Sequence, residues 1–337
     1  MKVESTLIGA TLENAGQAAR DLEAQGFDCA ISYEGPHDPF FPLAMAAKET
    51  EKIELATGVA IAFARNPMIC AQIANDLQLL SKGRFILGLG SQIKPHIEKR
   101  FSQPWSAPAA RMREFALAIR AIWASWYEGA KLDFRGEHYT HTLMTPVFNP
   151  GPNPHGAPKI FLAAVGPKMV EVTGEVADGF FVHPLHTPSF IQGVTLPAIE
   201  RGLAKAGRKR DDFEISCQTI IAVGETDEAL EKARQGAKAQ LSFYGSTPAY
   251  SVVLDHHGWM DTHYELNKMS KQGKWLEMVN LITDEMLDEI IVSGSASEVG
   301  AKVRARNDAF AERTTLVLYN QSGDDAVRDI VSGIHAG

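Results

Sequence analysis

The sequence predicts an α/β protein that folds as a (β/α)8 TIM barrel with insertions. Short apolar segments alternate with helical segments along the whole 337-residue chain, and eight of the apolar segments have the character of strands. The first strand-to-helix turn, at Gly9, lacks the Gly-x-Gly-x-x-Gly pattern of a doubly wound dinucleotide-binding sheet. We therefore expect the sheet to close into a barrel.

The eight predicted strands are short, apolar and bounded by turn residues, which is typical of parallel strands covered on both faces. They are Val3–Gly9, Phe27–Tyr33, Ile53–Ile61, Arg84–Leu89, Lys159–Val165, Gly179–His183, Phe213–Val223 and Thr315–Tyr319. The helical segments between and after them carry apolar residues at helical spacing. They are Asn14–Ala24, Pro39–Thr50, Met68–Leu80, Ala109–Trp126, Met169–Val176, Ser189–Ala206, Thr226–Phe243, Ser297–Phe310 and Asp324–Ile334.

Two stretches interrupt this alternation. Residues 131–158 are rich in Gly, Pro, Asn and His and predict a long insertion loop with a small hairpin around Gly136. Residues 247–289 contain several helical pieces with no strand between them. Because no Pro/Gly/Ser-rich linker divides the chain, we expect residues 1–337 to form a single barrel domain, with both additions covering its pocket.

Composition and charge exclude several classes of partner. The formal net charge is −8, so nucleic acids and anionic membranes are poor partners. No apolar run approaches the roughly 20 residues that span a bilayer, and the first residues do not have the pattern of a signal peptide. The scattered cysteines Cys29, Cys70 and Cys217 suit reduced, buried thiols, and we expect a cytoplasmic protein.

TIM barrels place their chemistry at the carboxyl ends of the strands. The fourth strand ends in two glycines, Gly88 and Gly90, which would let a ligand approach the backbone closely. Ser91, which follows, can hydrogen-bond the edge of a heterocycle. A basic cluster comes next and consists of Lys94, His96, Lys99 and Arg100. This cluster either neutralises an acidic ligand tail or forms a surface helix of mixed charge.

The second strand is followed by groups that can move a proton. Burial or neighbouring charges can tune both Glu34 and His37 toward neutral pH. Both can equally be scaffold residues, since Asp38 and Pro39 are typical of the start of a helix. Glu34 and His37 are therefore candidate catalytic residues, and we expect Asp38 to cap the next helix.

The third strand contains small residues at Gly58 and Ala60, where glycine normally weakens strand pairing. A bulge that presses backbone against a flat ring would use these residues, and so would ordinary packing inside a barrel. Arg65, just beyond the strand, either holds an anion or is a solvated loop charge.

A phosphate site is predicted at the end of the fifth strand, where Val165, Gly166, Pro167, Lys168 and Met169 lead directly into a helix. Glycine permits close approach of a ligand, and the amino terminus of the helix presents free N–H groups. Proline is common in a first helical turn, and the lysine adds positive charge. We favour this interpretation over an ordinary strand-to-helix connection.

Metal binding is not expected. His183 and His186, after the sixth strand, are three residues apart, but Pro184 lies between them and they follow a strand rather than sit on a helix. The chain also lacks the His-Glu-x-x-His pattern of zinc proteases and the Gly-x-Ser-x-Gly pattern of serine hydrolases.

Several segments occur in the order that is typical of one family. They are Gln25–Asp28, Ala56–Val59, Arg65–Pro67, Ser81–Gly90, Ala163–Pro167, Glu175–Phe180 and, near the end of the chain, Val292–Val299. Together they resemble the bacterial luciferase-like superfamily of barrel oxidoreductases, and in particular its coenzyme F420-dependent branch.

The resemblance implies a luciferase-like barrel that binds coenzyme F420, or alternatively FMN. It implies a non-prolyl cis peptide at Gly58–Val59, in a bulge that supports the cofactor ring from behind. The implied cofactor-binding residues are Gly58, Val59, Ala60, Ile61, Ser91, His96, Val165, Gly166, Pro167, Lys168 and Met169. A polar residue after the second strand, here Glu34 or His37, would face the reactive edge of the ring. A homodimer through helices early in the barrel is also implied.

We therefore hypothesise an F420-dependent oxidoreductase that transfers a hydride between the coenzyme and an unidentified small organic substrate. Many relatives carry Thr-Gly-Glu after the fourth strand, where this chain has Ser91-Gln92-Ile93, which disfavours a sugar-phosphate dehydrogenase. Two alternatives stay open. One is an FMN-dependent monooxygenase that uses a separate reductase, and the other is a non-catalytic barrel that only binds the cofactor. The basic cluster favours F420, because that coenzyme adds an acidic tail.

Overall fold

The computed structural model describes residues 1–319 and 323–336. Its strands are β1 (Lys2–Thr6), β2 (Cys29–Ser32), β3 (Glu54–Thr57), β4 (Ala60–Ile61), β5 (Phe85–Gly90), β6 (Phe134–Arg135), β7 (Thr140–His141), β8 (Lys159–Ala164), β9 (Gly179–Val182), β10 (Glu214–Val223), β11 (Val292–Gly294) and β12 (Arg313–Leu318). Parallel pairing runs in the order β1, β2, β3, β5, β8, β9, β10 and β12, and β12 returns to pair with β1. The predicted eight-stranded barrel is therefore confirmed.

Helices surround this barrel and connect its strands. They are α1 (Ala15–Ala24), α2 (Phe40–Glu49), α3 (Pro67–Leu80), α4 (Pro108–Tyr127), α5 (Pro167–Val176), α6 (Pro188–Phe190), α7 (Leu196–Lys205), α8 (Asp227–Gly245), α9 (Ser251–His256), α10 (Met260–Lys271), α11 (Trp275–Met278), α12 (Asp284–Ile290), α13 (Ala296–Asn307) and α14 (Asp324–His335). Within the described ranges, no helix is long and apolar enough to cross a membrane.

The third barrel strand is broken, as its small residues suggested. β3 ends at Thr57, β4 resumes at Ala60, and both pair with β5. The peptide between Gly58 and Val59 is cis, at the position that the family resemblance implies.

The glycines of β5 make room for this break. A Cβ atom on Gly88 would lie 1.7 Å from the carbonyl oxygen of Thr57, and one on Gly90 would lie 2.7 Å from a methyl carbon of Val59. The expectation that they admit a ligand is therefore wrong for Gly88, where protein backbone already occupies the space. Close approach of a neighbouring strand is a common reason for glycine inside a strand.

A buried ion network closes the amino-terminal end of the barrel. The guanidinium of Arg313, fully buried, donates hydrogen bonds to Glu4 at 2.6 Å, to Glu214 at 2.8 Å and to Glu54. These four residues belong to β12, β1, β10 and β3. Burial alone would raise the pKa of Glu214, but contacts with Lys159 and Arg313 outweigh it and lower the pKa to about 2. The network joins four strands at the end of the barrel opposite the end where TIM barrels place their chemistry. We therefore infer that it stabilises the fold.

The added helical block is larger than expected. The predicted helix Thr226–Phe243 corresponds to α8, which packs on β10 and on α10, α11 and α12. Its residues share one buried apolar cluster with the block, a cluster that includes Ile220 and Ala222 of β10. The barrel position after β10 is taken by α13, which packs against α14. The block therefore spans residues 227–290, because the long strand β10 offers an extra apolar surface that α8 covers.

The insertion 131–158 contains the predicted hairpin, with β6 paired antiparallel to β7. Glu114 of α4 anchors it, since its carboxylate accepts hydrogen bonds from the backbone N–H groups of Glu137 and His138 at 2.9 and 2.8 Å. The short strand β11 extends the sheet by pairing with the last three residues of β10. It begins the segment Val292–Val299, which resembles the last strand-to-helix region of the family.

We expect replacement of Arg313 by methionine to lower the free energy of unfolding by about 3–5 kcal/mol, because it strands the fully buried carboxylate of Glu4 without its partner. The matched control is Arg20→Met, which removes a half-exposed ion pair with Glu49 and should cost about 1 kcal/mol or less. Urea unfolding followed by tryptophan fluorescence measures both. Equal losses for the two variants would contradict the assigned role.

Candidate active site

A cavity of about 270 Å³ opens at the carboxyl end of the barrel, beside the loops that follow β1 and β2. Its polar lining includes Thr11, Ser32, Tyr33, His37 and Asp38. Strand ends and the loops that follow them form the lining of this cavity. TIM barrels place their catalytic groups at such positions.

Of the two candidate catalytic residues, Glu34 is held in place by protein contacts through its Oε2 atom and its backbone N–H. Its carboxylate accepts a hydrogen bond from the backbone N–H of Ile61 at 2.7 Å and another from Arg65. Its own backbone N–H donates to the carbonyl oxygen of Val59 at 3.2 Å. Only 7% of the Glu34 side chain is exposed. Glu34 thus fixes the backbone on both sides of the break between β3 and β4.

Arg65 matches neither of the roles considered for it. It is largely buried and pairs with Glu34 and, at 2.8 Å, with Asp38. Burial alone would lower the pKa of Arg65, but these two carboxylates outweigh it and raise that pKa. Its charge is therefore neutralised within the protein, and it is neither an anion site nor a solvated loop charge.

Asp38 also caps α2, as expected, although the helix begins one residue later than predicted. Its carboxylate accepts a hydrogen bond from the backbone N–H of Phe40, the first residue of α2, at 2.9 Å. Side-chain acceptors at this position satisfy N–H groups that the helix leaves unpaired.

His37 differs from Glu34 in every respect that matters for chemistry. It is exposed, it lines the cavity, and its ring makes no hydrogen bond to any residue that the structure describes. A neutral imidazole with two open nitrogens can both give and take a proton. Between the two candidates, His37 has the surroundings of a group that meets a ligand.

The predicted ring-supporting residues lie at two depths. Val59 is half-buried and reaches the surface, whereas Ala60 and Ile61 are 0% and 2% exposed. Beneath Gly58, a Cβ atom would lie 2.4 Å from a methyl carbon of Ile31. Val59 and Gly58 therefore offer surface to a ligand, while Ala60 and Ile61 support the break from below.

The residues after β5 lie at the same mouth and are largely exposed. Ser91 is half-buried and donates to the carbonyl oxygen of Gln92 at 3.1 Å. His96 begins a short π-helical turn. Arg100 donates to the carbonyl oxygen of Gly35 at 2.8 Å, which connects this basic cluster to the loop after β2. The charges of the cluster thus remain close to the cavity and accessible to solvent.

The predicted phosphate loop has the geometry of an anion site. Gly166 precedes α5, no side chain caps the helix, and a Cβ atom on Gly166 would meet nothing within 4 Å. Pro167 and Lys168 are exposed, and Val165 and Met169 are half-buried. An uncapped helix amino terminus with open space in front of it attracts negative charge.

Sequence reasoning missed a set of aromatic residues on the opposite side of the mouth, which we term the aromatic wall. It consists of His183, Phe243, Tyr244, Tyr250, Trp275 and Tyr319. The ring of His183 lies 3.9 Å from that of Tyr250 and 4.8 Å from that of Tyr244, measured between centroids.

Two members of the wall end predicted strands, His183 and Tyr319, so the rule that chemistry follows strand ends could have identified them. His183 was considered only as a metal ligand. The others belong to the added helical block, and nothing local in the sequence shows that these rings meet.

Known proteins resemble this chain in sequence and in fold. A sequence model described as luciferase-like monooxygenase matches residues 2–313. An uncharacterised protein of Mycobacterium tuberculosis is 51% identical over 311 residues, which are 92% of each chain. A 5,10-methylenetetrahydromethanopterin reductase of Archaeoglobus fulgidus is 29% identical over 317 residues, 91% of this chain and 90% of that one. The solved structure of coenzyme F420-dependent tetrahydromethanopterin reductase from Methanopyrus kandleri shares the fold, with a TM-score of 0.80 at 19% identity and coverage of 98% and 97%.

Replacement of Glu34 by glutamine should lower the free energy of unfolding by about 1–3 kcal/mol, because it leaves a buried guanidinium short of a charged acceptor. The control is Asp38→Asn, which keeps the capping oxygen and removes the more exposed charge beside the same arginine. We expect it to cost about 1 kcal/mol or less. If Asp38→Asn proves as costly as Glu34→Gln in urea unfolding, Glu34 does not hold the break.

Proposed function

The chain belongs to the luciferase-like monooxygenase family, and from this premise we propose that it is an oxidoreductase that uses coenzyme F420 to oxidise or reduce a small organic molecule. One observation carries the proposal. The uncapped, open amino terminus of α5 lies at the same end of the barrel as the exposed basic cluster after β5. A cofactor with both a phosphate and an acidic tail fits two such sites. The F420-dependent Methanopyrus kandleri reductase, which has the same fold, supports this choice.

The residues present fit that cofactor. The backbone N–H of Lys168 and its side chain would hold the phosphate, and Val59 would contact the ring. Lys94, Lys99 and Arg100 would neutralise the tail. Bound F420 would supply the carbon that accepts or donates the hydride.

The chain's own residues have separate tasks in this proposal. Glu34 holds the backbone from Val59 to Ile61 in place, so that the surface beneath the ring does not shift. His37 moves the proton that accompanies the hydride, because its imidazole is exposed in the cavity and free of hydrogen bonds within the described chain. Orientation of reacting groups is the main contribution of a protein to cofactor chemistry.

The main alternative is a monooxygenase that binds FMN, as the name of the family suggests. FMN has the phosphate but not the acidic tail. It would bind at the amino terminus of α5 and make no contact that needs the basic cluster. A barrel that binds F420 without catalysis would bind it at both sites, and His37 would transfer no proton.

These cases are distinguished by titrating the purified protein with F420 and, separately, with FMN. Intrinsic tryptophan fluorescence reports the binding of each cofactor. We expect F420 to bind at least about tenfold more tightly than FMN. The double variant Lys94→Gln/Lys99→Gln should weaken F420 binding by up to about thirtyfold and leave FMN binding unchanged, since each exposed charge contributes at most roughly 1 kcal/mol.

The matched control is Lys52→Gln/Lys209→Gln, which removes two exposed charges just before β3 and β10, at the amino-terminal end of the barrel, and should change neither affinity. Tighter binding of FMN would move the protein to the flavin monooxygenases. Binding of neither cofactor would remove the proposed function. If F420 binds but a panel of electron donors and acceptors gives no turnover, the barrel only binds the coenzyme.

A further inference from the structure

The aromatic wall forms a continuous path of rings from the protein surface to the end of β9. Trp275 is 49% exposed, and its ring lies 6.1 Å from that of Phe243. The ring of Phe243 lies 5.9 Å from that of Tyr244, which contacts His183. Neighbouring rings at these separations make favourable edge and offset contacts and provide flat apolar surface.

The path ends beside the proposed cofactor site. His183 and Val165, the first residue of the phosphate loop, line the same small void of about 10 Å³. On the other side, the hydroxyl of Tyr244 lies 3.4 Å from that of Tyr319, which follows β12. Because β12 pairs with β1, whose loop lines the large cavity, the wall extends across the mouth.

His183 presents one defined hydrogen-bond donor in this wall. The backbone N–H of Leu185 donates to its Nδ1 at 3.1 Å, so in the neutral ring the proton resides on Nε2. Burial, assisted by the neighbouring His186, lowers the pKa of His183 to about 3, and the ring is therefore neutral at physiological pH. The Nε2–H group has no acceptor among the described residues.

Within residues 1–319 and 323–336, cations near the helical block make their ion pairs and hydrogen bonds with groups other than the rings of the wall. Arg234 and Lys238 of α8 pair with Asp288 at 2.6 Å and Asp284 at 2.8 Å. Arg306, which lies near His186, donates to backbone carbonyl oxygens of α12. None of the cation–π contacts in the described part of the chain involves a ring of the wall. A charged group placed here would lose its hydration without compensation.

We propose that the aromatic wall is the substrate site and that it takes an uncharged, planar aromatic molecule with one neutral acceptor, such as a carbonyl oxygen. The rings of Tyr244 and Tyr250 pack against its faces and edges, and the Nε2–H of His183 binds its acceptor. Phosphorylated substrates are not expected here, because no ring of the wall makes a cation–π contact in the described part of the chain. The assignment of a reaction to this site rests on the proposed function, whereas the class of ligand rests on the wall alone.

Three matched probes test the class of ligand by calorimetry on the full chain, with and without F420. Acetophenone has the ring and the neutral carbonyl, cyclohexyl methyl ketone lacks the flat ring, and phenyl phosphate replaces the carbonyl with charge. We expect acetophenone to bind at least tenfold more tightly than the other two. Phenyl phosphate binding as tightly as acetophenone, equal binding of the two ketones, or no binding of acetophenone would overturn the proposal.

Variants of the wall separate its two contributions. His183→Phe keeps a ring against Tyr250 and loses the donor, and should weaken acetophenone binding about fivefold. Tyr250→Leu removes the ring and should weaken it by a similar factor, whereas Tyr250→Phe should retain full affinity. The control is Tyr264→Leu, since Tyr264 lies on α10 outside the wall and is 62% exposed.

The outcome for F420 keeps this proposal distinct from the proposed function. Unchanged F420 affinity in every wall variant shows that the fold and the cofactor site are intact. Selective acetophenone binding without any F420 binding would sink the proposed function and leave the ligand class standing. If F420 binding is intact and neither His183→Phe nor Tyr250→Leu changes the affinity for acetophenone, the aromatic wall is not the substrate site.

Discussion

Glu34 fixes the broken third strand by hydrogen bonds, and the rest of the site is arranged around this fixed segment. One residue, at the end of β2, holds the carbonyl oxygen of Val59 and the N–H of Ile61, and its charge is balanced by Arg65. The bond from Ile61 to the carboxylate is charge-assisted and therefore stronger than a neutral one, and the backbone N–H of Glu34 holds the other side of the break by donating to Val59. The glycines of β5 leave room for this fixed segment, since a Cβ atom on Gly88 or Gly90 would meet Thr57 or Val59.

The two ends of the barrel divide their work. At the amino-terminal end, Arg313 joins four strands through buried carboxylates and leaves no group free for chemistry. At the carboxyl end, polar and aromatic groups remain unsatisfied: the imidazole of His37, the N–H of His183 and the amino terminus of α5. Rigidity at one end allows the other to keep groups unpaired for a ligand, which is the usual division in this architecture.

The regular part of the fold could be predicted from the sequence, because buried parallel strands and amphipathic helices have local signatures. The break in the third strand was visible too, in Gly58 and Ala60. The pairing of Glu34 with Arg65 was not, since the residues are 31 positions apart and each has a plausible independent role. Helical spacing likewise could not show that α8 covers β10 beyond the barrel, because periodicity gives the apolar face of a helix and not its partner. The aromatic wall assembles three segments of the chain that are distant in sequence, so only the folded structure reveals it.

A crystal structure of the protein with F420 bound would show whether the segment held by Glu34 supports the coenzyme. We expect the coenzyme's ring against Val59, its phosphate on the backbone N–H of Lys168, and its tail toward Lys94 and Lys99, with the contacts of Glu34 unchanged. A phosphate bound away from α5, or a ring that does not touch the segment between β3 and β4, would contradict this expectation.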